Sequence, residues 1–543
     1  MKQLIECVPN FSEGRDKAKI DAIVAAISGA APVEVLDVDP GEATNRTVVT
    51  FAGEPEAVLE AAFAGVRKAA ELIDMRSHHG AHPRMGATDV LPLVPVSGIT
   101  LEECAELARK LGKRIADELN IPVYAYEASA LIPERKNLAV CRKGEYEGLA
   151  QRCADDAPDF GARPWDDDMA RTGATAVGAR DFLIAVNFNL NTVSTRRANA
   201  VAFDVREKGR PGKPGLCKGT KAIGWFIDEY GIAQVSMNIT DISQTPLHVA
   251  FATVDECARK RGLRVTGTEI VGLVPLKTLI DAGKYFLAAQ QRSWGIPDEE
   301  IIRIAVRSMG LDELRPFEPE EKIVEYVLAA RQPEKKLLTG LTTVGFADKT
   351  ASESPAPGGG SVGAYMGALA AALAAMVANL SAHKRGWDDR WREFSDVAVE
   401  ARSIMKRLLE LVDADTDAFN FVMDAMRLPA GNDEEKAARN IAIELANEHA
   451  ARVPLETARA AIKAYPLLEK MIKKGNPASV TDAGTGAVAA DAAINAAMLN
   501  VLVNAKSLTD SVIARMLVTE ARDLADQSAR LRRKLMRRVL KQL

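Results

Sequence analysis

Two kinds of hydrophobic period alternate along the first half of the chain, and the alternation repeats. Short β-branched runs predict strands at 4–8, 33–38, 46–51, 89–96 and 123–127, then at 182–189, 222–228, 232–238 and 269–274. Apolar residues at helical spacing predict helices at 16–28, 54–73 and 101–119, then at 195–207, 247–261 and 278–290. Each half of this region contains the order β-α-β-β-α-β. We therefore predict two tandem ferredoxin-like subdomains, with a cleft between them as the natural ligand site.

The second half shows helical period only. Long helical segments are predicted at 363–382, 388–426, 433–464, 487–503 and from 510 to the end. The expected fold is therefore an α+β N-terminal half followed by an all-α helical bundle. The predicted domains are an N-terminal subdomain at 1–180, a second subdomain at 181–328, a polar linker at 329–336 and the helical domain at 337–543.

One apolar stretch is long enough to raise the question of a membrane. No charged residue occurs between Ser354 and Ala382, but the segment is rich in Ala and Gly. Its large apolar residues repeat at spacings of four, three and four, at Leu369, Leu373, Met376 and Leu380. This stripe predicts a helix that packs against other helices in a bundle, and no contact with a membrane.

Charge and cysteine content narrow the class of protein. The 543 residues include 70 basic and 74 acidic ones, a net charge of −4, so no nucleic-acid partner is expected. The six cysteines contain no C-x-x-C pair, which disfavours a zinc ribbon or a disulfide scaffold. The first residues lack the apolar core of a signal peptide. These features together predict a cytoplasmic protein with reduced thiols.

Three of the six histidines lie in one short loop, at positions 78, 79 and 82. The loop could be solvated and its histidines incidental, or His78, His79 and His82 could bind a metal. A third interpretation is acid–base catalysis, because histidine titrates near neutral pH. Pro83 stiffens the loop beside His82, and Arg84 could hold an anionic substrate.

Two further loops of the first half are candidates for ligand binding. The segment 7–14 places polar residues between a strand and a helix, where Ser12 could equally be a helix cap. The basic, Gly- and Pro-rich segment 206–218 is either a solvated turn or a clamp for carboxylates made of backbone amides and lysines. It lacks the residue order of a Walker nucleotide site.

In the helical half, Gly358, Gly359, Gly360 and Ser361 open the uncharged helix. Glycines at a helix N-terminus allow a ligand close to the unpaired backbone N–H groups, although a linker would have a similar composition.

An acidic run follows further along the helical half, with Asp413, Asp415 and Asp417 inside a helical segment. Asp413 and Asp417 share a helix face and Asp415 points elsewhere, so spacing alone does not choose a functional member over a solvated face. The polar turn 476–482 either caps the next helix or contributes to a site.

Taken together, these motifs resemble those of the bifunctional formimidoyltransferase-cyclodeaminase family. The resemblance covers essentially the whole chain, and the segments that carry it are 7–14, 44–47, 82–86, 223–225, 356–361 and 412–415. It implies two reactions of histidine degradation. The first half would transfer the formimidoyl group of N-formimidoyl-L-glutamate to tetrahydrofolate. The second would cyclise 5-formimidoyltetrahydrofolate to 5,10-methenyltetrahydrofolate and release ammonia.

The same resemblance implies roles for individual residues. His82 matches the catalytic histidine of the transferase, and Asp415 matches the base of the cyclodeaminase. The implied substrate-binding residues of the first half are Asn10, Arg46, Arg84, Gly161, Gly173, Gly215, Leu216 and Cys217. Those of the second half are Gly359, Gly360, Ser361, Asp413, Asn476, Ser479 and Asp482. The segment 162–168 departs from the family's pattern in length and charge.

Tetrahydrofolate is then a co-substrate, and no metal or nucleotide is expected. Lys213, Lys218 and Arg84 could bind the carboxylates of a polyglutamate tail. The expected partners are the small molecules folate and formimidoyl-glutamate and further copies of the chain in a homo-oligomer. The alternatives are that one domain alone is active, for example as a formimidoyl- or formyltransferase, or that the chain is a non-catalytic folate-binding protein.

Overall fold

The computed structural model describes residues 3–41, 45–80, 83–228, 230–331 and 337–543. The chain forms two compact units. One contains Met1–Ala282 and Val306–Pro333, and the other contains Gly283–Ala305 and Glu334–Leu543. The first unit is mixed α/β and the second is helical, which confirms the fold class expected for the two halves.

A seven-stranded sheet organises the beginning of the first unit. Its strands are β1 (Leu4–Cys7), β2 (Asn10–Phe11), β3 (Glu34–Gly41), β4 (Arg46–Gly53), β5 (Thr88–Ser97), β6 (Val123–Glu127) and β7 (Thr175–Ala179). The strands β1 and β2 both lie between β4 and β5 and are antiparallel to them, while β3 pairs with the outer side of β4. Beyond β5 the sheet continues with β7 and then β6, both in parallel pairing.

Three long helices contribute to the core of this sheet: α1 (Lys17–Ala30), α2 (Pro55–Leu72) and α3 (Leu101–Leu119). Local sequence fixes the ends of α3. Thr100 and Glu103 form a reciprocal capping box at its start, and Asn120 adopts the left-handed conformation after its end. Shorter helices follow at α4 (Leu138–Cys141), α5 (Leu149–Asp155) and α6 (Asp167–Thr172).

The second sheet has four antiparallel strands in the order β11-β8-β10-β9. They are β8 (Ile184–Leu190), β9 (Thr220–Ile227), β10 (Ile232–Ile239) and β11 (Val265–Val271). The helices that follow β8 and β10 are α7 (Thr195–Val205) and α8 (Leu247–Arg259). The next helices are α9 (Leu276–Ala289), α10 (Asp298–Met309), α11 (Pro319–Lys322) and α12 (Val324–Arg331).

The helical unit is built on seven helices of the region 337–543. They are α13 (Thr343–Ala351), α14 (Gly359–Ala382), α15 (Trp391–Met426), α16 (Asp433–Ala461), α17 (Ala464–Lys474), α18 (Val480–Ala505) and α19 (Ser511–Leu540). Alanines dominate its core. Because alanine side chains are short, the helices approach each other closely: a β-carbon on Gly367 of α14 would lie 3.3 Å from Cβ of Ala493 on α18.

The apolar stripe of α14 does not pack as predicted. The buried face of this helix consists mainly of Gly and Ala, whereas Leu369, Met376 and Leu380 are 45%, 38% and 47% exposed. The sequence pattern predicts that the larger side chains are buried in the core. The structure instead buries the Gly and Ala face of α14, because only these small residues permit the close contacts with α15 and α18.

Two helical segments of the described chain are long and apolar enough to cross a membrane by length and composition, Gly359–Ala382 and Pro477–Ala505. In the first, most of the apolar window is buried within the unit, which is also the signature of a core helix in a soluble bundle.

The segment before α10 packs with the helical unit, although the sequence places it in the second subdomain. Ser293 Oγ donates a hydrogen bond to Asn379 Oδ1 at 2.7 Å, and Asn379 Nδ2 donates to the Gly295 carbonyl at 2.8 Å. The rings of Trp294 and Trp391 pack edge to face. Of the predicted linker 329–336, the first three residues end α12 and 332–336 lie outside the described residues.

Candidate functional sites

In the first unit, Asn45 connects the turn after β2 to the histidine-rich loop. Its Oδ1 accepts from the Gly14 amide at 3.0 Å, and its Nδ2 donates to the His79 carbonyl at 3.0 Å. His78 Nε2 donates to the Asn45 carbonyl at 2.9 Å. Burial lowers the pKa of His78, so this histidine is a neutral structural link in the loop. His82, the predicted acid–base residue, lies outside the described residues.

Arg84 is buried and held by partners on two sides. Its Nε donates to His78 Nδ1 at 3.4 Å, and its Nη2 donates to the His78 carbonyl at 3.2 Å. Its two terminal nitrogens reach the two carboxylate oxygens of Glu147, at 2.7 and 2.9 Å. Glu145 approaches at 3.5 Å. The predicted anion-binding arginine is thus already paired with two carboxylates of the same unit.

These carboxylates project from a tight turn between Gly144 and Gly148. The Gly148 amide donates to the Gly144 carbonyl at 2.8 Å, and Tyr146 anchors the turn by donating its hydroxyl to the Ala170 carbonyl. Glu145 has a φ of +52°, a left-handed conformation that is uncommon outside glycine. The turn and the histidine loop border an open cavity of about 470 Å³ lined by His79, Gly80, Arg84, Gly144, Glu145 and Glu147.

A second cluster of charged residues surrounds Asp89, at the start of β5 in the seven-stranded sheet. Asp89 is fully buried, forms an ion pair with Arg142 and accepts from the Met85 amide at 3.1 Å. Arg46 lies close enough for its charge to interact with both residues. Burial lowers the pKa of Arg46, and the charge of Asp89 opposes that effect. Asn10 is buried on β2, paired in register with Val48 and Val90.

The remaining predicted residues of the first unit do not all come together. Gly173 bridges to Gly86 and so adjoins the histidine loop, whereas a β-carbon on Gly161 would lie against Ala116 of α3. The amides of Gly215, Leu216 and Cys217 donate to the carbonyls of Glu207, Asp204 and Val205. These three amides are therefore engaged within the fold, and a contact of this loop with folate stays a prediction.

In the helical unit, Asp415 of α15 meets the first turn of α14. Ser361 Oγ donates to Asp415 Oδ2 at 3.0 Å, and the Ser361 backbone N–H also bonds the carboxylate. A β-carbon at Gly360 would overlap this carboxylate, so the glycine is needed for the close approach. Burial raises the pKa of Asp415, and the bonds from Ser361 oppose that rise. Gly359 adjoins Asn500 of α18, where a β-carbon would lie 3.3 Å from Nδ2.

Asp413 has a different environment from Asp415. Its carboxylate accepts from the Leu338 amide at 2.6 Å and from the Thr339 hydroxyl at 2.7 Å. It therefore ties the start of the helical unit to α15. The structure separates two aspartates that spacing could not, because Asp413 has a structural role and Asp415 faces the glycine-rich helix start.

The other predicted residues of this half lie at the far end of α14. The Asn476 amide donates to Ser381 Oγ at 2.8 Å, and Ser479 and Asp482 follow at the start of α18. Gly360 and Ser381 are 21 residues apart in one helix, which corresponds to about 32 Å. One chain therefore does not bring Asn476, Ser479 and Asp482 to Asp415.

Comparisons with known proteins account for nearly the whole chain. Three family models match in order: the formiminotransferase domain, N-terminal subdomain, at 4–180, the formiminotransferase domain at 185–329, and formiminotransferase-cyclodeaminase at 342–523. The formimidoyltransferase-cyclodeaminase of Rattus norvegicus is 41% identical over 516 residues, which cover 94% of each chain. This chain belongs to the formimidoyltransferase-cyclodeaminase family. The resemblance inferred from the motifs is thereby confirmed.

Relatives also match each half of this formimidoyltransferase-cyclodeaminase family member separately. The glutamate formimidoyltransferase of Streptococcus pyogenes serotype M1 is 43% identical over 292 residues, 53% of this chain and 95% of that one. The methenyltetrahydrofolate cyclohydrolase of Methylorubrum extorquens is 36% identical over 190 residues, 35% of this chain and 91% of that one.

Several polar residues lie beside the candidate sites of this chain but were not predicted from its sequence. They are Asp89, Arg142, Glu145, Glu147 and Asn500. A signal existed for the two glutamates, since two glycines bracket them in Gly144-Glu145-Tyr146-Glu147-Gly148. Within the described ranges, no group of three His, Cys, Asp or Glu side chains is arranged to hold a metal ion.

Proposed function

We propose that the chain is a bifunctional folate enzyme, a glutamate formimidoyltransferase and a formimidoyltetrahydrofolate cyclodeaminase. The observation that carries the proposal is the match along 94% of the chain to a protein with both activities in its name. Asp415 adds local support, because a half-buried carboxyl with a raised pKa at a glycine-lined helix start suits proton transfer.

In the transfer reaction, N5 of tetrahydrofolate attacks the amidinium carbon of formimidoyl-glutamate. The tetrahedral adduct then loses a proton from N5, the glutamate nitrogen gains one, and the bond between that nitrogen and the carbon breaks. The products are glutamate and 5-formimidoyltetrahydrofolate. We assign this proton relay to His82 on its sequence motif. Holding both substrates together would supply much of the rate.

In the cyclisation, N10 of the folate attacks the amidinium carbon within the same molecule. One proton must leave N10 and reach the terminal nitrogen, which departs as ammonia and leaves the 5,10-methenyl cation. Asp415 would accept the first proton and deliver it to the leaving nitrogen. A raised pKa favours this role, because the carboxyl must both take and return a proton near neutral pH.

Tetrahydrofolate is the proposed co-substrate, with exposed Lys213 and Lys218 available to a polyglutamate tail. We place the enzyme in the cytoplasm, where its six buried thiols would stay reduced. We further infer that both sheets of the first unit are ferredoxin-like. The strand orders β5-β1-β4-β3 and β11-β8-β10-β9 both support this, since each follows the β-α-β-β-α-β sequence.

We also propose a homo-oligomer in which two helical units pair through α14 and α18. These helices run antiparallel, since Gly363 adjoins Ala496 and Gly486 adjoins Leu373. On each helix, an exposed apolar stripe lies roughly a quarter-turn around the helix axis from the contact with the other helix. The rotation has the same sense on both helices, so both stripes face the same side of the pair. The exposed members are Leu369, Met376 and Leu380 on α14 and Val488, Leu499 and Val503 on α18.

The size of this face suits a second copy of the chain. Helices of 24 and 26 residues side by side present about 700 Å², close to the ~800 Å² per partner of a standard interface. A twofold axis across α14 would place the Asp415 end of one copy beside the Asn476 end of the other. Such pairing would unite the two groups of predicted residues that one chain holds about 32 Å apart.

The paired variant Leu369→Glu/Leu380→Glu tests this pairing, with the exposed Leu428→Glu as the matched control. Light scattering should show a smaller assembly for the double variant alone, with loss of cyclodeaminase activity. An unchanged assembly would refute the α14–α18 interface.

The function itself is tested by incubating the protein with tetrahydrofolate and formimidoyl-glutamate. Methenyltetrahydrofolate absorbance and free ammonia should rise together. Accumulation of 5-formimidoyltetrahydrofolate without ammonia would leave the transferase alone. Absence of both products, with folate still bound, would favour a folate-binding protein.

A further inference from the structure

The turn 144–148 offers its carboxylates to the cavity beside the histidine loop. Glu147 is largely exposed and Glu145 is partly exposed, whereas Arg84 between them and His78 is buried. Tyr146 holds the turn from the opposite side through the Ala170 carbonyl. The backbone of the turn that carries both glutamates is therefore held in place, and their carboxylates reach a space of about 470 Å³ that a small substrate could enter.

The pairing of Glu147 with Arg84 shows which kind of cation this carboxylate can bind. Two guanidinium nitrogens donate to the two oxygens of Glu147 in a parallel pair of charge-assisted hydrogen bonds. A protonated formimidoyl group is an amidinium, which is planar and cationic and carries N–H donors on two nitrogens like one side of a guanidinium. Glu147 would accept that fork in the same two-bond arrangement.

We propose that Glu147 is the residue that recognises the formimidoyl group of the donor in the transferase reaction. This inference rests on the proposed function. The donor carries a cationic amidinium and anionic carboxylates, so it can exchange with the Arg84–Glu147 pair without leaving a charge unpaired. Glu147 takes the amidinium, Arg84 takes a carboxylate of the donor, and His78 continues to hold Arg84. Glu145 keeps the mouth of the cavity negative.

This arrangement makes Glu147 the residue that discriminates between donors. A formyl group is a neutral amide whose carbonyl oxygen would face the carboxylate, so it gains no charge-assisted bond and meets repulsion instead. The carboxylates common to both donors would still reach Arg84. Glu147 therefore selects for formimidoyl over formyl, and Arg84 does not distinguish them.

The test compares two ligands in Glu147→Gln, with Glu134→Gln as the control. Glu134 is an exposed carboxylate of the same unit, on the turn Pro133–Lys136, and it does not line the cavity. The measured quantities are kcat/KM for formimidoyl-glutamate and the Ki of N-formyl-glutamate as a competitor. We expect Glu147→Gln to lower kcat/KM by about tenfold to a hundredfold, while the Ki stays unchanged or falls. Glu134→Gln should change neither.

Two results would overturn the proposal. If Glu147→Gln weakened both ligands by the same factor, Glu147 would act only by positioning Arg84. If it changed neither, the turn would not contact the donor. An unchanged thermal unfolding profile and an unchanged KM for tetrahydrofolate check that the first unit of the variant is folded. Failure of the wild-type protein to use formimidoyl-glutamate at all would refute the proposed function instead.

Discussion

In the first unit the candidate charged side chains are already paired with one another, whereas in the helical unit one carboxylate of α15 faces the start of α14. Arg84 is held by Glu147, and Asp89 is held by Arg142. Asp415 bonds only neutral donors, from Ser361, among the contacts described for it.

The contrast follows the proposed chemistry. A transfer between two charged molecules requires many charges to orient them, and these charges must be balanced while the site is empty. A cyclisation within one molecule already has its reacting atoms joined, so one positioned proton carrier suffices. On this basis, the second site should depend on the position of its carboxylate and the first on the balance of its charges.

The largest effect is expected from Gly360→Ala. Its new β-carbon would displace the Asp415 carboxylate, and a misplacement of about 1 Å can cost on the order of 10²-fold in rate. Ammonia release from supplied 5-formimidoyltetrahydrofolate measures it. Gly358→Ala is the matched control, because its β-carbon would meet nothing closer than the Pro355 carbonyl at 3.9 Å. Equal losses in both variants would contradict a positional role.

The pH profile of cyclisation gives the next effect. Because burial raises the pKa of Asp415, the acidic limb of kcat/KM should lie above the ordinary range of an aspartate. Below it the rate should fall about tenfold per pH unit. Ser361→Ala removes a bond that stabilises the carboxylate, so the limb should move to higher pH. A limb at ordinary aspartate values, unmoved by Ser361→Ala, would argue against Asp415 as the base.

Asp413→Asn sharpens the contrast between neighbouring aspartates. Loss of the charged acceptor for the Leu338 amide and the Thr339 hydroxyl should lower the unfolding free energy by about 1–3 kcal/mol. Thermal unfolding measures the change. The cyclisation rate of the folded variant should stay near that of the wild type. A collapse in rate without loss of stability would make Asp413 the better candidate for the base.

Glu6 supplies a buried carboxyl in the first unit for comparison. Burial raises its pKa to about 7 against the opposing charge of Arg180. The folded state therefore binds an extra proton between about pH 4.5 and 7, and stability is lost as pH rises through that window. Glu6→Gln should remove this slope, worth up to about 3 kcal/mol. The test compares the unfolding midpoint at pH 5 with that at pH 8, in the wild type and in Glu6→Gln. If this difference is the same in both proteins, Glu6 is not the source of the pH dependence.

Of the eleven strands among the described residues, the sequence predicted nine, together with the glycine-rich helix start, because these depend on local period and turn chemistry. It missed β2, which has only two residues, and β7, which lies between β5 and β6 in the sheet. It missed the orientation of α14, since periodicity shows that one face differs from another but not which face is buried. The small residues were chosen by contacts with α15 and α18, which come from distant parts of the chain.

In the candidate sites, too, residues in short sequence motifs were predicted, and contacts between distant parts of the chain were not. The motifs around Arg84 and Asp415 are local and were found. Glu147 was missed because its pairing with Arg84 spans 63 residues. The tie from Asp413 to Leu338 spans 75 residues, so the choice between Asp413 and Asp415 required the fold.

The most direct test of two activities in two units is to assay His82→Ala and Asp415→Asn with each substrate supplied separately. His82→Ala should fail to transfer from formimidoyl-glutamate but should cyclise supplied 5-formimidoyltetrahydrofolate. Asp415→Asn should transfer normally and accumulate 5-formimidoyltetrahydrofolate without releasing ammonia. A folded variant of either kind that kept both reactions or lost both would contradict the assignment of one activity to each unit.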